Sequence, residues 1–211
     1  MDSVNNASTH LPMQHYLLPD WFSGNIPNFL EIKSRLPQRR RVLEIGSFEG
    51  RSTSWMLQNF LEPDGTIVCL DTFQGSPEHT EIELSGLFDR WQNNVQSVRL
   101  PNQTCIAHVG KSYQGLAHVI TQNEAFDFIY VDGSHTAPDV LADACMTWGL
   151  LRVGGIVLFD DYQWPDTLGA LNCPKPAVNA FCANLCESRP SDYLKLSTRH
   201  AKAQLRNQHV E

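Results

Sequence analysis

The sequence predicts an α/β domain: a doubly wound, mostly parallel sheet with helices on both faces and a C-terminal antiparallel hairpin. Three observations carry this. From residue 41 onward, apolar runs of strand length alternate with longer segments of helical spacing, the rhythm of successive βαβ crossovers. Gly and Pro punctuate the junctions. Near the end, two alternating segments, 192–198 and 201–206, are separated only by Arg199 and His200, which suits a hairpin.

Residues 1–40 contain Pro12, Pro19, Pro27 and Pro37 among scattered aromatics, and read as a tail, one short amphipathic helix over 26–35 and a connector. The first strand spans 41–45 and the first helix of the alternation 51–61. Pro63-Asp64-Gly65 turns the chain into a second strand over 66–70. A helix over 82–95, a strand over 104–108, a helix over 113–121 and a strand over 126–131 follow. Pro138 suits the first turn of a helix over 138–151, and Gly154-Gly155 ends that helix before a fifth strand at 156–159. Val178, Phe181 and Leu185 give helical spacing to 176–185. The chain thus divides into an N-terminal segment, 1–40, and one domain, 41–211.

The 211 residues are 42% hydrophobic and 18% charged, enough to bury a core. Sixteen Lys and Arg against 23 Asp and Glu give a net charge of −7. That is the wrong sign for a protein that binds by neutralising phosphates, so nucleic acid and anionic membranes are not expected partners. No apolar run approaches the roughly 18 residues of a membrane span. The first ten residues are polar and do not read as a secretory signal, so a cytoplasmic location is expected. Six cysteines form no C-x-x-C pair, and are expected to be reduced thiols rather than a zinc or dithiol site. A homodimer is the base-rate expectation for assembly.

After the first strand comes Glu44-Ile45-Gly46-Ser47-Phe48-Glu49-Gly50, a glycine-bearing turn into a helix. Such a turn lets a ligand approach backbone N–H groups. A dinucleotide fingerprint needs G-x-G-x-x-G. Here the spacing is G-x-x-x-G, and Glu49 would repel a pyrophosphate. The second strand leads into Asp71, where a carboxylate can accept two hydroxyl hydrogens from a ribose. Glycine turn plus ribose carboxylate, without a phosphate cradle, describes a nucleoside with a charged tail. The plain alternative is a tight turn and a solvated Asp.

The fourth strand ends in Val131-Asp132-Gly133-Ser134-His135, and the fifth in Phe159-Asp160-Asp161-Tyr162. In a parallel sheet both ends fall on the edge that carries the glycine loop. Three carboxylates gathered there repel one another unless a positive charge joins them. A hard divalent ion, which takes about six oxygens, is the economical answer, with the alternative that Asp160 and Asp161 merely cap a strand. His135 sits where a general base is needed, and its ordinary pKa suits proton transfer near neutral pH. Trp164, Tyr162, Phe73 and Trp21 are candidates to wall an acceptor pocket, with core packing as the alternative.

The spacing at Glu44, Gly46 and Gly50, with Asp71 after the second strand, resembles the class I S-adenosylmethionine-dependent methyltransferases. The resemblance implies a Rossmann-like methyltransferase sheet of order 3-2-1-4-5-7-6. It implies that Glu44 and the Gly46–Gly50 loop, with Ser47 and Phe48, wrap the methionine part of S-adenosylmethionine. Ser52 or Thr53 would bind its carboxylate and Asp71 its ribose. Ser112, in Gly110-Lys111-Ser112, would edge the adenine, and it also suits a helix N-cap. Asp132 would lie beside the cofactor. The strings Asp132-Gly133-Ser134-His135 and Asp160-Asp161-Tyr162-Gln163-Trp164 narrow the resemblance to the metal-dependent, macrocin and mycinamicin type of sugar O-methyltransferase, although the chain is shorter than those enzymes. In that group the carboxylates matched by Asp132, Asp160 and Asp161 bind Mg²⁺ or another divalent cation, and the residue matched by His135 is the proposed base. Asp132 and His135 are therefore the expected catalytic residues.

The function expected from these residues is methyl transfer from S-adenosylmethionine to a hydroxyl of a small molecule, a sugar, diol or catechol, in natural-product biosynthesis. Two alternatives remain. One is a cephalosporin-hydroxylase-like enzyme, since such proteins share the fold and motifs. The other is a non-catalytic nucleoside-binding protein, which needs no metal.

Overall fold

The computed structural model of the chain describes residues 16–76, 79, 83–165, 169–185, 194–197 and 202–206. Among these, strands β1 (Arg41–Ile45), β2 (Thr66–Asp71), β3 (Thr104–Val109), β4 (Phe126–Val131) and β5 (Leu151–Phe159) alternate with helices α2 (Arg51–Asn59), α3 (Leu87–Val98), α4 (Ser112–Thr121) and α5 (Ala137–Trp148). Helix α1 (Ile26–Arg35) precedes them and α6 (Lys175–Leu185) follows. The five parallel strands stand in the order β3-β2-β1-β4-β5, the doubly wound arrangement that the alternation implies. Beyond β5, β7 (Lys202–Arg206) pairs with it antiparallel, and β6 (Leu194–Ser197) pairs with β7. Arg199 and His200 between them lie outside the described residues, as do the tail at 1–15 and Cys186. No helix among the described residues is long and apolar enough to cross a membrane.

The strand pleat decides which helices each residue meets, because successive side chains point to opposite faces. Leu43, Ile45, Ile129, Val131, Val157 and Phe159 pack with residues of α4, α5 and α6. Val42, Ile67, Phe128, Tyr130, Ile156 and Leu158 pack with residues of α1, α2 and α3. Glu44 lies between Leu43 and Ile45 and in register with Cys69 and Tyr130, so it faces the α1–α3 layer.

Two differences from the expected boundaries have a clear physical cause. Gly154-Gly155 does not end α5 but lies inside β5, where the register against β4 shifts between Phe126 and Phe128. Gly154 has φ +82°, and a Cβ on Gly155 would fall 2.9 Å from the Arg152 carbonyl oxygen and 3.0 Å from that of Asp127, so the irregularity needs glycine. Helix α3 begins at Leu87, behind Gly86 at φ +67°, rather than at 82.

Residue 40 is not a break in packing. Phe22, Phe29, Ile32 and Leu36 are buried in one cluster with Met56, Phe60, Phe128 and Tyr130. The Phe29 ring meets those of Tyr130 and Phe128 edge-on, with centroids 5.0 and 5.6 Å apart. Pro27 in the first turn of α1 presets its start, and the helix then lies along the sheet as part of the core.

Candidate active site

The strand registers bring four carboxyl ends to one edge. Ile45 is opposite Leu70 and Val131, and Val131 is opposite Phe159. The residues that follow, Gly46, Asp71, Asp132 and Asp160, therefore line up beside the β1/β4 boundary. There the strand order reverses, and a doubly wound sheet opens a crevice.

Gly46 has φ +87°, and a Cβ on it would sit 1.9 Å from the Asp132 carbonyl oxygen. Its N–H donates to the Leu70 carbonyl at 2.9 Å, while the Asp132 N–H donates to that of Ile45 at 2.8 Å. The glycine is thus required by the protein's own crossing of two loops, a reason that the sequence reading, which looked only to the ligand, did not contain. Gly50, at φ +82°, ends the loop at the start of α2.

The structure withdraws the Glu44 side chain from the crevice. Glu44 is wholly buried, and it accepts hydrogen bonds from the hydroxyls of Ser47 at 2.6 Å, Ser52 at 2.5 Å and Thr53. Burial raises its carboxyl above the usual range, against the pull of those hydroxyls. Glu44 fastens the loop to α2, and the Ser47, Ser52 and Thr53 hydroxyls expected at the cofactor are spent on it. Glu49 is also inside. It accepts from the Leu17 and Leu18 N–H groups at 2.9 and 3.1 Å and from Arg90 Nε at 2.9 Å, pinning the N-terminal segment to the glycine loop.

Asp71 organises the mouth of the loop. Its Oδ2 accepts the Ser47 and Phe48 N–H groups, both at 2.7 Å, and its Oδ1 accepts that of Phe73 at 2.6 Å. An ionised carboxylate offers about four lone-pair sites, so three such bonds leave capacity for a hydroxyl donor. Phe48 itself stands at φ +48°.

Ser112 is the first residue of α4, and the N-cap is Lys111, so the capping role proposed for Ser112 falls to its neighbour. Ser112 lies near Asp143 of α5, a carboxyl whose pKa burial and nearby Asp139 push up to about 6 against the pull of that hydroxyl. Its Oδ1 is buried without a hydrogen-bond partner. A carboxyl whose folded-state pKa is raised costs nothing while protonated in both states. The penalty develops as pH rises from about 4 to about 6 and reaches about 3 kcal/mol above that. Asp143→Asn is therefore expected to raise the thermal midpoint at pH 7–8 and to leave it unchanged near pH 4. An equal effect at both pH values would contradict this.

Asp132, Asp160 and Asp161 each present an oxygen within 4.8 Å of the others. They line one small crevice with Ser134, His135 and Pro174. Asp161, at φ +50°, donates its N–H to Asp160 Oδ1 at 2.7 Å. His135 Nε2 lies 3.0 Å from Asp161 Oδ2, and its ring stacks on Trp164 with centroids 3.9 Å apart. Asp161 and His135, on different strand ends, are thus paired. The donor set is all carboxylate oxygen, the hard chemistry that suits Mg²⁺, Mn²⁺ or Ca²⁺.

Two polar residues at this cluster were not anticipated. Tyr130 OH lies 2.8 Å from Asp132 Oδ2 and is also bonded to Asp160 Oδ2. Asn25 Nδ2 donates to Asp160 Oδ2 at 3.0 Å. Tyr130 was findable, since a strand residue two before Asp132 points to the same side and a buried phenol needs a partner. Asn25, 135 positions from Asp160 in the chain, carries no local signal.

The aromatic candidates divide. Trp21 stacks on His79 at 5.2 Å and tilts against Phe48 at 5.4 Å, beside the glycine loop, and Trp164 covers His135. Phe73 is buried against Phe88 and Trp91, and Tyr162 is buried with its hydroxyl donating to Asn179 Oδ1 at 2.7 Å. Both are core residues rather than pocket walls.

Residues 43–162, more than half of the chain, match the family described as "Methyltransferase domain". Two curated proteins are each 26% identical over 157 residues. One is an uncharacterized protein of Acanthamoeba polyphaga mimivirus, with 72% of this chain and 63% of that protein covered. The other is a catechol O-methyltransferase of Niastella koreensis, with 74% and 64% covered. The matches thus span somewhat under two thirds of these relatives' length. Among solved structures, an O-methyltransferase from Bacillus cereus in complex with SAH superposes with a TM-score of 0.60 at 20% identity, covering 96% of this chain and 87% of that one. MycE, a methyltransferase of the mycinamycin biosynthetic pathway, in complex with Mg, SAH and mycinamycin VI, gives 0.57 at 18%, covering 90% and 51%. At these identities the structural likeness carries the fold. Together with the family match across the sheet, the glycine loop and the carboxylate cluster, it places the chain in the methyltransferase domain family.

Proposed function

We propose that the chain is a class I, S-adenosylmethionine-dependent O-methyltransferase, assisted by a divalent cation and acting on a hydroxyl of a small molecule. The observation that carries this is the pairing of two sites across the β1/β4 boundary. On one side stand the glycine loop and Asp71, on the other the carboxylate trio with His135. A sugar, vicinal diol or catechol fits a site that can bind two neighbouring oxygens. The catechol O-methyltransferase relative and the magnesium bound in MycE favour the same reading.

When bound, the cofactor would supply an electrophilic methyl group and the cation would make the acceptor hydroxyl more acidic. The protein's own residues hold and orient. Asp71 takes a ribose hydroxyl, the Gly46–Gly50 backbone accommodates the methionine part, and Ser112 lies toward the adenine. Asp132, Asp160 and Asp161 hold the cation. His135 accepts the acceptor's proton at Nε2, which requires Asp161 to release the contact it makes there and the neutral ring to carry its own proton on Nδ1. Its Trp164 neighbour fixes the plane of the ring.

In this reading residues 41–211 are the catalytic domain and 16–40 its integral cover. The C-terminal strands form the hairpin that completes the order 3-2-1-4-5-7-6, and the enzyme works in the cytoplasm on free metabolites of natural-product biosynthesis. Calorimetric titration with S-adenosylmethionine tests the cofactor assignment. The parent is expected to bind, and Asp71→Ala to bind at least about tenfold more weakly, the loss of a charge-assisted hydrogen bond. Unaltered affinity in that variant would remove Asp71 from the site.

A further inference from the structure

We propose that Asn25 and Tyr130 are positioning residues of the carboxylate cluster, so that the N-terminal segment completes the cation site. The proposal rests on the cation reading above. Its geometry is a short chain of polar atoms: Asn25 Nδ2 lies 3.0 Å from Asp160 Oδ2 and 3.4 Å from Tyr130 OH, and that phenol lies 2.8 Å from Asp132 Oδ2 while also bonding Asp160 Oδ2. The phenol oxygen stands between the two carboxylates and, having one proton, donates it to one of them at a time, so it sets their spacing.

The chemistry of these donors matters. Lys or Arg here would neutralise the cluster and compete with a cation. Asn and Tyr orient the carboxylates by hydrogen bonds and leave their negative charge in place. Donors that hold one oxygen of a ligating carboxylate fix the direction of the other, and such outer partners are typically worth 10- to 100-fold in metal affinity.

Both donors are rigidly held. Tyr130 is fully buried, with its ring against Phe29. Asn25 is 6% exposed and closes a 3-10 turn, Ser23–Asn25, through an N–H bond to the Phe22 carbonyl at 2.7 Å. Asp20 Oδ1 caps that turn by accepting the Phe22 and Ser23 N–H groups. A few residues earlier, Leu17 and Leu18 are bonded to Glu49 of the glycine loop. The same N-terminal stretch thus touches both halves of the site, and displacing it would loosen the cation site together with the cofactor loop.

Mn²⁺ binding to the full chain, followed by calorimetry and by the metal-induced shift of the thermal midpoint, tests this without an assay of activity. Asn25→Leu and Tyr130→Phe keep volume and remove the donor. Each is expected to weaken Mn²⁺ binding by about tenfold or more while retaining the far-UV circular dichroism of the parent. Asn25→Asp adds a carboxylate, and is expected to increase the midpoint shift that Mn²⁺ produces. A packing role alone would move all three variants in the same direction. Folded variants of Asn25 and Tyr130 that bind Mn²⁺ within about twofold of a binding parent, well inside the range outer partners command, would overturn the proposal and leave the cation reading standing. A parent that binds no Mn²⁺ would overturn both.

Discussion

Gly46→Ala is expected to cost about 3 kcal/mol or more and to abolish cofactor binding in whatever fraction folds. The added methyl would meet the Asp132 carbonyl oxygen at 1.9 Å, at a backbone φ of +87°. Neither the clash nor the strain can be relieved locally, because Gly46 N–H is held by Leu70 and Asp132 N–H by Ile45. Relief would have to separate the glycine loop from the loop that carries Asp132 and His135. Gly154→Ala is the control. It shares a positive φ of +82°, but its Cβ would meet nothing within 4 Å, so it should cost only the backbone term, about 1 kcal/mol. Urea denaturation of the two variants checks this, and equal losses would contradict the crossing-loop account.

His135→Ala is expected to lower turnover by about 10²-fold or more with little change in affinity for S-adenosylmethionine. The imidazole lines the carboxylate crevice and is positioned by Asp161 and Trp164. Single-turnover kinetics with saturating cofactor measures the chemical step. A loss smaller than about tenfold would be too little for a general base and would leave His135 as a partner of Asp161 only.

The βαβ alternation was legible because parallel strands buried on both faces are continuous apolar runs. β1 and β4 begin and end at the residues the sequence indicates, and α1 does as well. Gly154-Gly155 misled because a helix stop and a strand irregularity use the same residue type. The direction of Glu44 is legible in its alternation with Leu43 and Ile45, which turns it toward the α1–α3 layer, whereas the motif spacing alone carries no direction. The carboxylate cluster was legible from strand ends alone, since the sheet itself assembles Asp132, Asp160 and Asp161. Asn25 was not, because its place depends on where α1 packs. That in turn depends on Phe29 finding Tyr130 and Phe128, a contact distant in sequence. Of the four aromatic candidates, Trp21 lies against Phe48 of the glycine loop and Trp164 against His135, while Phe73 and Tyr162 are consumed by the core.

The central claim is metal-assisted methyl transfer to a hydroxyl. It is tested most directly by incubating the protein with methyl-labelled S-adenosylmethionine and a panel of sugars, diols and catechols. The incubations are run with Mg²⁺ and, in parallel, with a chelator, and the products are weighed by mass spectrometry. The account predicts an acceptor heavier by one labelled methyl group, formed with Mg²⁺ and lost with the chelator. A product heavier by one oxygen atom would contradict methyl transfer, and a methylated product indifferent to the chelator would contradict the role given to Asp132, Asp160 and Asp161.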